Sequence, residues 1–180
     1  MTFVALLRGI NVGGNTPVPM RALKELFKQL GFGSVKTYIN SGNVVFDTSP
    51  KASARKLEES IEKALQEEFG SPIRVVVKSL PEMKKIVAAM PKEWRDAKTW
   101  RSNVIFLSHR IDKPSITKDI TVNPAVENVS YGKGALYWAV TWKGATKSKV
   151  AKINRLPIYQ EMTIRNPNTT RKIYDLMTER

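Results

Sequence analysis

The chain has 180 residues, no cysteine, one histidine (His109), and 30 Lys+Arg against 16 Asp+Glu, a net charge of +14. These totals exclude disulfides, thiol nucleophiles and cysteine- or histidine-rich metal sites, and they favour polyanionic partners such as nucleic acid, anionic headgroups or phosphorylated small molecules. No stretch approaches the ~20 apolar residues of a membrane span, and Phe3 to Leu7, ended by Arg8, is too short for a secretory signal core, so a cytoplasmic protein without membrane insertion is expected.

Phe3 to Leu7 reads as a buried strand. The loop Arg8-Gly9-Ile10-Asn11-Val12-Gly13-Gly14-Asn15 follows. Pro17 and Pro19 introduce a helix in which Met20, Leu23, Phe27 and Leu30 recur at helical spacing, stopped by Gly31 and Gly33. Val35 to Ile39 and Asn43 to Asp47 are strands about the turn Asn40-Ser41-Gly42. Leu57, Ile61, Leu65 and Phe69 mark a second helix over 52–69, ended at Gly70-Ser71-Pro72, and Ile73 to Lys78 is a β-branched strand. The order is βαββαβ, the ferredoxin-like split βαβ unit.

A helix over 81–90 and a stretch holding Trp94 and Trp100 lead to a weaker echo. Asn103 to Leu107 is a strand and 111–120 a short connection of helical character. Glu127 to Tyr131 and Ala135 to Trp142 form a hairpin about Gly132-Lys133-Gly134. Residues 146–155 suit a helix, and Met162 to Arg165 a short strand. Asn166 as N-cap and Pro167 at the first position start a last helix. The expectation is an α+β protein of two ferredoxin-like (βαββαβ) subdomains packed together, plus a C-terminal helix. The first subdomain spans 1–80, a helix and linker 81–102, and the second subdomain with the terminal helix 103–180.

In such a sheet the end of strand one and the turn between strands two and three share one edge. Arg8, Asn11, Gly13, Gly14 and Asn15 should therefore lie near Asn40, Ser41 and Asn43. Glycine lets several backbone N–H groups converge on one anion, and Arg8 adds a bidentate fork. The structural alternative is a tight crossover needing positive φ. The loop is neither a Walker A sequence nor a dinucleotide fingerprint.

The segments Leu6-Leu7-Arg8-Gly9-Ile10-Asn11-Val12-Gly13-Gly14 and Tyr38-Ile39-Asn40-Ser41-Gly42-Asn43-Val44-Val45-Phe46 resemble the bacterial family named domain of unknown function 1697, as does the ending Thr163-Ile164-Arg165-Asn166-Pro167-Asn168-Thr169. The resemblance spans essentially the whole chain. It implies two ferredoxin-like parts and no established activity. The family's last motif usually carries an aromatic residue where this chain has Pro167.

Charge is uneven: from Lys143 to Lys172 there are eight basic residues and one acid, Glu161. Arg165, Asn168 and Lys172 surround the start of the last helix, where a helix N-terminus with flanking cations suits phosphate. Lys143, Lys147, Lys149, Lys152 and Arg155 read as a solvated face or a patch that tracks a nucleic-acid backbone. His109 lacks a recognisable nucleophile and reads as a satisfied or surface histidine. Glu58, Glu59 and Glu62 read as solvating charges. Alternation places Trp138 and Trp142 with Leu136 in the core and turns Tyr137 outward, where it could stack on a base. The expected function is a binding protein, without catalysis or cofactor, for an anionic partner, nucleic acid first. The alternative is an enzyme or sensor for a small phosphorylated ligand at the glycine-rich edge.

Overall fold

The computed structural model describes residues 1–13, 16–95 and 98–179. Its first unit comprises β1 (Thr2–Leu7), α1 (Met20–Gln29), β2 (Gly33–Tyr38), β3 (Asn43–Asp47), α2 (Ala54–Phe69) and β4 (Val75–Ser79). Its four strands form an antiparallel sheet in the order β2-β3-β1-β4. Helix α3 (Leu80–Ala88) follows at once, opened by a reciprocal capping box between Ser79 and Glu82. The second unit comprises β5 (Trp100–Leu107), β6 (Glu127–Gly132), β7 (Ala135–Thr141) and β8 (Met162–Arg165). These form a second antiparallel sheet in the matching order β6-β7-β5-β8. The chain ends in α4 (Pro167–Thr178), capped by the Asn166 side chain, which accepts from Thr169 N.

The helices sit where apolar spacing requires. On one face of the first sheet, Leu23 and Phe27 of α1 and Ile61 and Leu65 of α2 pack with Phe3 and Phe46. The opposite face, with Val4, Leu6, Val45 and Val76, packs in one core with Met83 and Ile86 of α3, Ile173 and Met177 of α4, and Val104, Phe106 and Tyr137 of the second sheet. The first sheet is therefore covered on both faces. This explains why β1 reads as an unbroken apolar run rather than an alternating one.

The second sheet's outer face differs from expectation. Connections 111–120 and 146–155 are not α-helices but short 3₁₀ segments, at Pro114–Asp119, Trp142–Lys147 and Val150–Arg155, with another at Pro157–Glu161. They lay Ile116, Val150 and Ile153 over Ile105, Leu136 and Trp138. Val150 and Ile153 are three apart, which is the eclipsing interval of a 3₁₀ helix. Glu127, 3% exposed, holds the segment in that form. Its carboxylate accepts from Lys149 N at 2.8 Å, Val150 N at 3.2 Å, Asn123 N at 2.9 Å and Trp138 Nε1 at 3.2 Å, and also from Ser148 Oγ. Burial works against the Glu127 charge, but the donors from Ser148, Asn123, Lys149 and Val150 outweigh it and lower its pKa.

Trp138 lies in the core as alternation predicts. Trp142 does not: β7 ends at Thr141, and the Trp142 ring is 54% exposed. Tyr137 does face the other way from Trp138, but that face is covered, and its hydroxyl donates to Ile86 O at 3.0 Å. It offers no stacking platform. Among the described residues no helix is long and apolar enough to cross a membrane.

Candidate functional site

The glycine-rich loop and the Asn40 turn meet. Asn11 adopts φ 55° and sends Nδ2 to both Val18 O and Asn40 O at 2.9 Å, while its Oδ1 accepts from Val18 N at 2.8 Å. Leu7 N donates to Gly42 O at 2.8 Å. Gly42 has φ 76°, and a Cβ there would lie 2.7 Å from both Ile10 Cδ1 and Leu7 Cβ, so only glycine lets the two bends touch. Gly9 and Gly13 are also left-handed and exposed. Gly14 and Asn15 lie outside the described residues.

Arg165 reaches this junction from the far half. Its Nε donates to Asn43 Oδ1 at 2.6 Å. Nη1 donates to Thr163 Oγ1 at 2.8 Å and Ile164 O at 2.9 Å, and Nη2 to Leu7 O at 2.8 Å and Ser41 O at 2.9 Å. All five guanidinium donors are thereby engaged within the protein. Burial pushes the Arg165 pKa down to about 10. Asn43, fully buried, spends its Nδ2 on Tyr38 O and Ser41 Oγ. Arg165, Asn43 and Asn11 thus build the rim, their side-chain groups already in use.

Arg8 stands differently. Its backbone N–H donates to Arg74 O, and its guanidinium lies 4.5 Å over the Tyr159 ring. Its Nε is buried with no hydrogen-bond partner among the described residues. The side chain lines a cleft of about 750 Å³ between the halves, together with Arg74, Arg155, Glu62 and Tyr159. An adjoining hollow of about 520 Å³ extends from Arg8 to Gly9, Val12 and Ser41. Asn168 and Lys172 are exposed and lie elsewhere: Asn168 lines a separate hollow beside the tryptophans, and Lys172 lines neither.

The acids of α2 are not merely solvating. β4 is an edge strand, and its free N–H groups need acceptors. Val77 N donates to Glu58 Oε1 at 3.0 Å and Val75 N to Glu62 Oε1 at 3.1 Å, one helical turn apart. The same carboxylates receive the second unit. His109 Nδ1 lies 3.2 Å from Glu58, and its Nε2 lies 3.5 Å from Glu82. Arg110 bridges Glu62 and Glu161, each at 3.1 Å. Glu59, by contrast, forms an exposed pair with Arg55.

His109 is therefore a satisfied histidine, its pKa raised to about 9 by its contacts with Glu58 and Glu82. Burial opposes the Glu82 charge, yet His109 and Ser79 hold it down at about 2. Beside them Lys78 is fully buried, its Nζ without a hydrogen-bond partner among the described residues, and burial lowers its pKa. The local patterns of β4 and α2 hid Lys78 and Glu58, because each breaks the rule that charges avoid interiors.

The fold and this junction define an α+β protein in which two four-stranded sheets are pinned across a cationic cleft. Residues 1–137 match the family described as protein of unknown function (DUF1697), and the chain belongs to that family. The chain is also similar to the solved structure of the conserved bacterial protein SP0830 from Streptococcus pneumoniae, with TM-score 0.82 and 26% identity over 98% of each chain. No match was found among curated proteins.

Proposed function

We propose that this protein is a nucleic-acid-binding protein that works through phosphate contacts. The observation that carries the reading is a run of exposed cations. Lys143, Lys147, Lys149, Lys152 and Arg155 project from the 3₁₀ segments over the second sheet. Among the described residues none of them is in an ion pair. The run ends at Arg155, on the wall of the cleft that holds Arg8 and Arg74. Glu161, the one acid from 143 to 172, is held by Arg110 and Ser108. A run of exposed cations suits a phosphate backbone. The reading is of binding rather than catalysis, since His109 is committed to two carboxylates.

Fluorescence polarisation with DNA and RNA oligonucleotides across a salt series tests it. Affinity should fall linearly on log–log axes. Replacing Lys147, Lys149 and Lys152 by Ala should flatten the slope by roughly 2–3, at ~0.9 per phosphate contact. Failure to bind at low salt overturns the reading.

A second reading, a small phosphorylated ligand in the cleft, is favoured by the unpartnered Nε of Arg8. Thermal-shift measurements with nucleotides and sugar phosphates separate the two, since a ligand that binds only the folded state raises Tm. Arg8→Ala should abolish that shift, and a shift that survives would remove Arg8 from the site.

A further inference from the structure

The tryptophans of the linker, of β5 and of the segment that follows β7 line a second hollow that the phosphate-contact reading does not use. Its volume is about 390 Å³, and it is lined by Trp94, Trp100 and Trp142, with Arg101, Asn103 and Pro167. The strand register makes the space. β8 pairs β5 only from Val104 to Leu107, whereas β7 pairs it from Trp100 to Phe106. The first turn of α4 departs where β8 stops, leaving residues 100–103 beside a gap. Trp94 is 6% exposed and anchored on Tyr137, with ring centroids 6.1 Å apart, so the floor is fixed. Trp142 stands at the mouth, more than half exposed. A large ring in that position costs hydration free energy unless something covers it.

We propose that this hollow receives an unstacked base of a single-stranded nucleic acid. Three features select that occupant. Tryptophan faces supply stacking surface, which every base can use. The Asn103 Nδ2 group is buried with no hydrogen-bond partner among the described residues, and an amide donor matches the keto oxygen of a pyrimidine or guanine. The charge at the rim is positive: Arg101 lines the opening and is exposed, and no acid lines it among the described residues. A duplex presents no free base face and does not enter. The inference rests on the partner being nucleic acid and adds strand type and a stacking site to it.

The test is a titration of intrinsic tryptophan fluorescence with a short oligothymidylate, a duplex of equal length and a proline-rich peptide, on the full chain at low salt. The single strand should quench. Trp142→Ala, at a position more than half exposed, should weaken single-strand affinity about tenfold or more. It should leave duplex affinity and the log–log salt slope unchanged, and Trp142→Phe should restore most of the loss. Unchanged single-strand affinity in Trp142→Ala overturns the base pocket while salt-dependent binding still stands. Quenching by the peptide but not by the oligonucleotide overturns it in favour of a peptide groove. Failure of both nucleic acids to bind the unmodified chain overturns the pocket and the phosphate reading together.

Discussion

Arg165 and Asn43 are 122 residues apart in the chain, and their side chains meet at 2.6 Å in the buried seam between the two sheets. Each is spent on the other and on backbone carbonyls, so the pair ties the end of β8 to the turn before β3. The same guanidinium closes on Leu7 O and Ser41 O. Removing one side of such a cluster strands buried acceptors. Arg165→Met should therefore cost roughly 3–5 kcal/mol, read as a lower urea midpoint at constant m. Arg165→Lys, lacking the planar fork, should recover only part of that. A double-mutant cycle with Asn43→Ala should show a coupling of about 1–3 kcal/mol, and simple additivity would contradict the clamp.

Gly42 fails in two ways when a side chain is added: φ is positive, and the new Cβ collides with Leu7 and Ile10. Gly42→Ala should destabilise by roughly 1–3 kcal/mol. Gly70→Ala, at a left-handed helix end with nothing within 4 Å, should be milder. Equal losses at the two positions would show that strain alone governs the turn.

The seam carries a pH dependence whose sign is set by His109. Its folded pKa is raised from 6.5 to about 9, so its contribution is complete below about 6.5 and is lost as pH rises through about 9. Glu82 acts oppositely: its pKa is lowered from 4.5 to about 2, and its contribution goes as pH falls through that range. Tm should therefore decline from neutral to alkaline pH, and His109→Gln should flatten that limb. An alkaline limb of unchanged steepness would exclude the His109 contacts with Glu58 and Glu82 as its source.

Glu127 organises the outer segment that carries the basic run. Glu127→Gln keeps the shape but loses charge-assisted acceptance from several N–H and O–H donors, a loss of about 2 kcal/mol or more. Amide exchange should quicken at Lys149 and Val150 before it does in β1. Uniform quickening across both sheets would mean that the segment does not open separately.

The limits of sequence reading are visible in particular elements. β1, β3, α2 and α4 were legible because burial, spacing and caps are local signals: apolar i, i+4 steps in α2, and Asn166-Pro167 opening α4. Segment 146–155 misled because its form is imposed by Glu127, some twenty residues upstream, whose carboxylate takes the N–H groups of Lys149 and Val150. Glu58 and Glu62 misled for a like reason. An amphipathic helix shows its acids as a polar face, and nothing local tells that an edge strand and a histidine from the other half will claim them.

Charge balance, strand order and the meeting of the Gly9–Gly13 loop with the Asn40 turn follow from the amino-acid sequence alone, since they need only composition, periodicity and the geometry of a split βαβ sheet. Tertiary structure decided which polar groups remain available. Asn43 and Arg165 turn inward because buried backbone carbonyls must find partners, and Asn11, though exposed, spends its amide on Val18 and Asn40. Arg8 faces a cleft, and Trp142 comes to the surface because β7 ends one residue before it. Hydrogen-bond satisfaction is settled between residues far apart in the chain, and a one-dimensional pattern does not carry that information.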